Sequence, residues 1–523
     1  MSASTRATKR SAAAGESSAE DEPIQLVASR AKKLKSAAAK PAAAMPAADA
    51  PAGSAKPAPS LRKLAPIFTP RAASGASAEA SGSTTSSGSA RVVWRAPLRF
   101  RGKPGCLLGV CGAPFAAAVE KTLALPENER EQTIKVAAFD LDGTLVVPKQ
   151  GTWPSPSDPY DYKPVFANVY KRVREEYESG SVIVIVSNQK QTTPYDISKP
   201  AKKVLTWQQK IAHIAQAIGC PMLVLAALAD DRFRKPAPGM WDATMQELEV
   251  AGGKRAWVKV GGDGSSFYVG DAAGRPARGR IAKDHNDTDR KWADNLGLPF
   301  FTPEQWFQGG DAEDYKLKGW RLSWAKDDAE PSKPAIAPAS SPEILVFVGP
   351  PASGKTSYYR NHFEPAGYEW INQDTLGKRD KCIAKAREAL QKGKSVVIGE
   401  RRSCARLCIP SDAPSCLSTD NTNRDKATRA FYVKLAAERG VPIRCAWFEL
   451  SSEQVVHNSY YRAHHDLGHE PERNLIPGIA IGAYFSALQV PTQDEGFAEP
   501  PAVVKFRFQG DAAAREAYSK WWQ

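Results

Sequence analysis

"VAAFDLDGTLVV", residues 136–147, sets two aspartates two positions apart directly behind a short hydrophobic run. The run KVAAF has the length and apolar continuity of a strand buried on both faces, and Gly143 and Thr144 follow the acids as a turn. Side chains just beyond the carboxyl end of a parallel strand converge at the mouth of an open α/β sheet, where such folds bind ligands. Asp140 and Asp142 can divide labour there. One, beside Mg²⁺, attacks phosphorus; the other gives a proton to the leaving oxygen and later activates water. Asp-rich turns are also common for structural reasons, and the pair alone does not decide between the two readings.

Three later runs carry matching groups in chain order. SVIVIVSNQ (181–189) ends in Ser187, a hydroxyl suited to a phosphoryl oxygen, with Asn188 beside it. RFRKPAPGMWD (232–242) places Lys235 in a Pro-flanked loop, where an ammonium would neutralise a phosphoryl group and an aspartyl-phosphate. FYVGDAAGR (267–275) ends a strand at Asp271, a hard oxygen ligand suited to Mg²⁺. Taken singly, each is a turn, a surface lysine or a strand cap. As an ordered set they resemble the haloacid dehalogenase-like phosphatases, which implies an α/β, Rossmannoid domain. The resemblance implies Asp140 as nucleophile and Asp142 as general acid/base, with the Asp142 backbone carbonyl a further metal ligand. Asp271 becomes the metal-binding acid, and Asp289 in NDTDR (286–290) supports it, with Asp284 and Asp287 close enough to compete for that place.

A second constellation begins at ILVFVGPPASGKTSYYR (344–360), a hydrophobic strand running into GxxxxGK[ST]. Gly349, Ser353 and Gly354 belong to a loop whose backbone N–H groups wrap phosphates. Lys355 reaches the β/γ oxygens of ATP, and the Thr356 hydroxyl binds Mg²⁺. In WINQDTLGK (370–378), Asp374 is placed to take the proton of an attacking alcohol, or else caps the following helix. In VVHNSYYRAHHD (455–466), Arg462 can close over the γ-phosphate, or else lies on a solvated helix face. His464, His465 and His469 lack partners at metal-ligand spacing and are expected at the surface.

The length of 523 residues exceeds one compact core, and the 42% hydrophobic content suits burial, so two folded domains and tails are expected. A net charge of +14 favours an anionic partner such as nucleic acid. Eight cysteines without a CxxC pair point to a reducing compartment, and no apolar run reaches the roughly 18 residues of a membrane span. Residues 1–90 are Ala, Ser, Pro, Lys and Gly-rich and read as a disordered basic tail. Its clusters RATKR (6–10) and SRAKKLK (29–35) fit nuclear-import signals or electrostatic tethers, with a plain solubilising tail and a mitochondrial presequence as alternatives. RKLAPIFTPR (62–71) permits a partner-docking motif. The expected division is a first α/β domain over 91–326, a Pro-rich linker over 327–342 and a second α/β domain over 343–523.

Order and motifs together resemble the polynucleotide kinase/phosphatase family over roughly residues 92–523. The match rests on FDLDGTL, SPSD (155–158), RKPAPGMWD, YVGDAAGRP, NLGLPFFTPEQWF (295–307), the phosphate loop, NQDTL, DNTNRDKATRAFYV (420–433) and HNSYYR. The resemblance implies a 3′-phosphatase followed by an ATP-dependent 5′-hydroxyl P-loop kinase, using Mg²⁺ and ATP on DNA strand ends at nicks, gaps and double-strand breaks. It also implies Asp374 as kinase general base, Arg462 as lid arginine and Asn423 near the kinase site. A soluble, monomeric, nuclear enzyme follows, with a mitochondrial pool as a variant and repair proteins docking on the tail. Two features depart from the family. The first 90 residues cannot supply the forkhead-associated domain of animal members. GERRSCARLCIPSDAPSCLST (399–419), with three of the eight cysteines, stands where members run almost directly from strand to motif, as a surface loop or a retained intron. Rival expectations are RNA end healing, a fusion of small-molecule phosphatase and metabolic kinase, and a non-catalytic scaffold.

Overall fold

The apolar run behind Asp140 forms strand β4 (Val136–Phe139), and all four of its residues are buried. The computed structural model describes residues 91–113, 115, 134–151, 154–190, 196, 198–251, 266–279, 282–322, 334–372, 376–399, 423–465 and 473–523. The expectations for the tail, for Asp374 and His469, for 327–333 of the linker and for the 399–419 insertion beyond Gly399 lie outside the described residues.

Around β4 the chain lays down β1 (Val92–Trp94), β2 (Leu98–Phe100), β3 (Lys103–Cys111), β7 (Val182–Asn188), β8 (Met222–Ala227), β9 (Phe267–Val269) and β10 (Phe300–Phe301). β5 (Val146–Val147) and β6 (Lys163–Pro164) make a separate antiparallel pair. The large sheet runs β1-β3-β8-β7-β4-β9-β10, with β2 paired to β3. From β8 to β10 the strands are parallel, and β3 joins β8 antiparallel. Side chains alternate between faces. Ala137, Phe139, Ile183 and Ile185 meet Trp207, Ile211 and Ile214 of the helix Lys202–Ile218 on one face. Val136, Ala138, Val182 and Val184 meet Met240, Trp241 and Trp292 on the other. Strands covered on both faces must be apolar throughout, which explains why these runs do not alternate in sequence.

From β4 the chain moves outward through β7 and β8, then returns to the opposite side of β4 for β9 and β10. The order therefore reverses at β4, and a crevice opens beyond its carboxyl end. The second sheet repeats the device. β11 (Ile344–Val348) lies between β13 (Val396–Ile398) and β14 (Ile443–Glu449), flanked by β12 (Glu369–Ile371) and β15 (Ala502–Lys505), all parallel. The phosphate loop leaves the end of β11.

Residues 85–523 form one compact unit, and the last residues of the chain join the two sheets' domains. Asn295 donates to the carbonyls of Trp521 (2.7 Å) and Pro236 (2.8 Å) and accepts from the Trp521 N–H (2.6 Å). Lys291 donates to the Gln523 carbonyl at 2.9 Å. On the other side, His457 Nε2 lies 2.9 Å from the Tyr518 carbonyl, with Trp320 against its ring. His464 is a correction to the sequence reading. It is 5% exposed, seven residues along the helix Ser452–His464 from His457 and on the same face, with its ring edge-on to Phe100. His465 is exposed, as expected.

Burial pushes His457 and His464 down from the ordinary 6.5 to about 4. A histidine with a depressed folded pKa binds its proton more readily in the unfolded chain, so its stabilising contribution is present above about 6.5 and is lost as pH falls toward 4. We expect the melting temperature to fall steeply from pH 6.5 to 5, with each histidine accounting for on the order of 1–3 kcal/mol across the full interval. Calorimetry of the wild type beside His457→Gln checks this; equal acid sensitivity in both would contradict it.

Candidate active site

At the mouth of the first sheet, the Asp140 N–H donates to the Val269 carbonyl at 2.9 Å and fixes the end of β4 to β9. The chain then turns at Gly143, whose φ is +92°. A Cβ there would stand 2.5 Å from the Asp271 carboxylate, so only glycine lets the turn come this close to the acid at the end of β9. The Lys235 ammonium is fully enclosed. It donates to Asp140 Oδ1 (2.6 Å), the Tyr268 hydroxyl (2.8 Å) and the Val186 carbonyl (3.2 Å), and lies 2.8 Å from Asp289 Oδ1. Asn188 clamps the Lys235 loop, accepting from its N–H at 3.0 Å and donating to its carbonyl at 3.1 Å.

Asp140, Asp271 and Asp289 each bring a carboxylate oxygen within 4.8 Å of the others. Asp284 instead pairs with Arg275 at 2.9 Å, and Asp287 with Lys291 at 3.0 Å. Asp289 is fixed by the Ala272 N–H (2.9 Å) and the Tyr268 hydroxyl (2.7 Å). Asp142 turns away from the cluster, taking Lys210 Nζ on Oδ1 (2.7 Å) and Gln189 Nε2 on Oδ2 (2.6 Å). Gln189 also reaches the buried Ser187 hydroxyl at 3.0 Å. Thr144 Oγ1 lies 3.4 Å from Asp271.

Burial raises the Asp140 carboxyl to about 7, against the pull of Lys235 and with a further push from Asp289. Burial also raises Asp271 well above the carboxylate range, helped by Asp140 and Asp289. Burial alone would lower Lys235, but Asp140 and Asp289 outweigh it and raise it. Three carboxylates around one ammonium leave two negative charges uncompensated when all are ionised. An all-oxygen set with that deficit fits a divalent cation.

In the second site, Lys355 Nζ folds back onto the carbonyls of Gly349 and Pro350, both at 2.7 Å, and onto Ser353 Oγ at 3.3 Å. The loop needs left-handed backbone at Ala352 (φ +61°) and Gly354 (φ +87°), and the helix Lys355–His362 starts without a side-chain cap. Thr356 is half-buried in its first turn. The helix Ser452–His464 docks on the loop through Asn458 Nδ2, which donates to the Ala352 carbonyl at 2.9 Å, and Arg462 follows one turn later. Asn423, with φ +49°, ties strand ends by donating to the Phe347 carbonyl at 2.9 Å. Arg429 in turn donates to the Asn423 carbonyl at 2.9 Å and makes a bidentate pair of hydrogen bonds to the Glu495 carboxylate at 2.6 and 2.5 Å.

Sequence reasoning missed Lys210, Gln189 and Tyr268. Lys210 left one signal: it stands three residues after Trp207 and four before Ile214, on the apolar face of its helix.

Fold and sites together define a haloacid dehalogenase-type phosphatase joined to a P-loop kinase, two classes that imply a divalent metal ion and ATP. Residues 135–307 match the polynucleotide kinase 3 phosphatase family and residues 344–475 match an AAA domain. The chain is 34% identical over 373 residues to the bifunctional polynucleotide phosphatase/kinase of Schizosaccharomyces pombe, covering 70% of this chain and 79% of that one. It is 26% identical over 227 residues to the polynucleotide 3′-phosphatase of Saccharomyces cerevisiae, which spans 34% of this chain and 90% of the relative. The chain belongs to the bifunctional polynucleotide phosphatase/kinase family.

The raised carboxyls give a metal-linked pH effect. Without metal, the folded site keeps protons on Asp140 and Asp271 that the unfolded chain releases near 3.8, so its contribution to stability falls as pH rises toward 7. A cation bound by these carboxylates would replace those protons. The rise in melting temperature on adding Mg²⁺ should therefore grow between pH 5 and 7.5 and vanish in Asp271→Asn; a shift independent of pH would contradict this.

Proposed function

We propose that this enzyme heals DNA strand breaks, removing a 3′-phosphate with its first domain and phosphorylating a 5′-hydroxyl with its second. The observation that carries the reading is the enclosed Lys235 ammonium between Asp140 and Asp289, in the same chain as a phosphate loop with Lys355 at its base.

In the first site Asp140 attacks phosphorus. Its oxygen–phosphorus bond forms as the bond to the sugar O3′ breaks, and Asp142 passes a proton to O3′. Water then attacks the aspartyl-phosphate, its proton returning to Asp142 as phosphate leaves. Ser187 donates to a phosphoryl oxygen, and Lys235 stays near the charge that builds there. Asp140, Asp271, Asp289 and the Asp142 backbone carbonyl would hold Mg²⁺, which when bound offsets phosphoryl charge.

In the second site the loop from Gly349 to Gly354 and Lys355 hold the phosphates of ATP, with Thr356 the ligand for its Mg²⁺. Asp374 takes the proton of the 5′-hydroxyl as the γ-phosphoryl is transferred, and Arg462 closes over it. The same reading gives a monomer acting in the nucleus, where strand breaks arise, with the basic tail available to repair proteins.

Nicked duplex DNA with 3′-phosphate and 5′-hydroxyl ends, supplied with Mg²⁺ and ATP, tests both halves at once. Asp140→Ala should lower 3′-phosphate release by more than about 1000-fold and leave 5′-phosphorylation within about 2-fold; Lys355→Ala should do the reverse. Loss of both activities from either change in a folded protein, or equal activity on sugar phosphates and no gain from DNA ends, would overturn the reading.

A further inference from the structure

Lys210 is the one described lysine whose ammonium bonds Asp142, and its charge is also felt at Asp161. Its helix, Lys202–Ile218, packs on the sheet through Val204, Trp207, Ile211, Ile214 and Ile218. An alkyl side chain at position 210 would extend that apolar face without the cost of burying an ammonium. The Lys210 side chain is nevertheless charged and 7% exposed, while the Asp142 side chain it grips remains 31% exposed at the mouth.

The geometry of Asp142 shows what the grip does. A carboxylate has roughly four acceptor positions, two on each oxygen. Lys210 occupies one on Oδ1 and Gln189 one on Oδ2, at 2.7 and 2.6 Å. Both oxygens are pinned, and each keeps a free position for the open side. Gln189 also bonds Ser187 at 3.0 Å, so the orientation of the acid is registered against the hydroxyl assigned to the phosphoryl group. Rotation of Asp142 about its side-chain torsions would break two charge-assisted bonds at once.

We propose that Lys210 is a positioning residue for the phosphatase reaction, locking the Asp142 carboxyl so that its free face meets the leaving O3′ and, in the second step, the attacking water. The inference rests on the role given to Asp142 above. Lys210 bonds the Asp142 carboxylate and not Asp140, Asp271 or Asp289. Its effect on the first step should therefore depend on how much the leaving oxygen needs a proton. A sugar alkoxide needs one badly, whereas a nitrophenolate departs without one.

The test uses the full chain and compares an oligonucleotide 3′-phosphate with p-nitrophenyl phosphate. Lys210→Met should lower kcat/KM, which reports the steps up to leaving-group departure, by about 10- to 100-fold on the oligonucleotide with KM within about 3-fold, and by less than about 3-fold on the aryl phosphate. Lys210→Arg should recover most of the loss, and unchanged 5′-kinase activity reports an intact fold. If the Met variant does not fold, Lys210→Gln replaces it. Asp142→Asn separates the two levels of the argument. When it shows the leaving-group dependence and the Lys210 variants do not, only this inference falls. When Asp142→Asn loses equal kcat/KM on both substrates, the role of Asp142 as acid and this inference fall together. A Lys210 effect confined to KM would make it a substrate contact and overturn the proposal.

Discussion

A lysine ammonium closed off from water, with a carboxylate on either side, is what the first half of this chain is organised around. Lys235 bonds Asp140 from β4, Tyr268 from β9 and a carbonyl of β7, and meets Asp289 from the helix Thr288–Leu296. Taking an ammonium out of water costs several kcal/mol, and only near-ideal partners offset it. Four elements far apart in sequence are thereby brought to one point. The partners are themselves buried acids that need the lysine, so the arrangement is mutually enforced. Because the carboxylates outnumber the ammonium, the cluster holds protons on its acids or suits a divalent cation.

The second half solves the same topological problem. Its central strand also lies where the sheet order reverses, and its loop also brings a lysine to the strand end. Lys355 there rests on the carbonyls of Gly349 and Pro350 and on the hydroxyl of Ser353. The helix that follows starts without a side-chain cap, and free N–H groups at a helix start suit an anion. A carboxylate cluster and a lysine-bearing loop thus sit on like scaffolds. The C-terminal residues link them, since Trp521 and Gln523 bond the helix Thr288–Leu296 while Tyr518 bonds the helix that carries Arg462.

What could be read from sequence follows from how local each signal is. Asp140 and Asp142 stand out because a strand, two acids and a glycine are contiguous, and the phosphate loop because its spacing is fixed by the phosphates it wraps. Ser187, Lys235 and Asp271 were readable only as an ordered series on successive strand ends. Asp289 could not be told from Asp284 and Asp287 until their partners, Arg275 and Lys291, were in view. Lys210 and Gln189 were silent because they meet Asp142 across 68 and 47 residues. His464 was misplaced because its burial depends on β2 and the segment at Asp230, neither of which leaves a trace near position 464. The antiparallel β1–β3 extension escaped notice for a similar reason: its pairing with β8 is set by register across more than 100 residues.

The chemistry proposed for the first domain turns on Asp140 forming a covalent bond to phosphorus while Lys235 stays beside it. Rapid acid quench of the enzyme during turnover of a 3′-phosphorylated oligonucleotide, followed by peptide mass spectrometry, looks for that bond directly. A phosphoryl group carried on the peptide containing Asp140, rising and decaying ahead of phosphate release, is the expected result. Sustained phosphate release with Asp140 unmodified at every time point, under conditions that preserve an acyl phosphate, would contradict it.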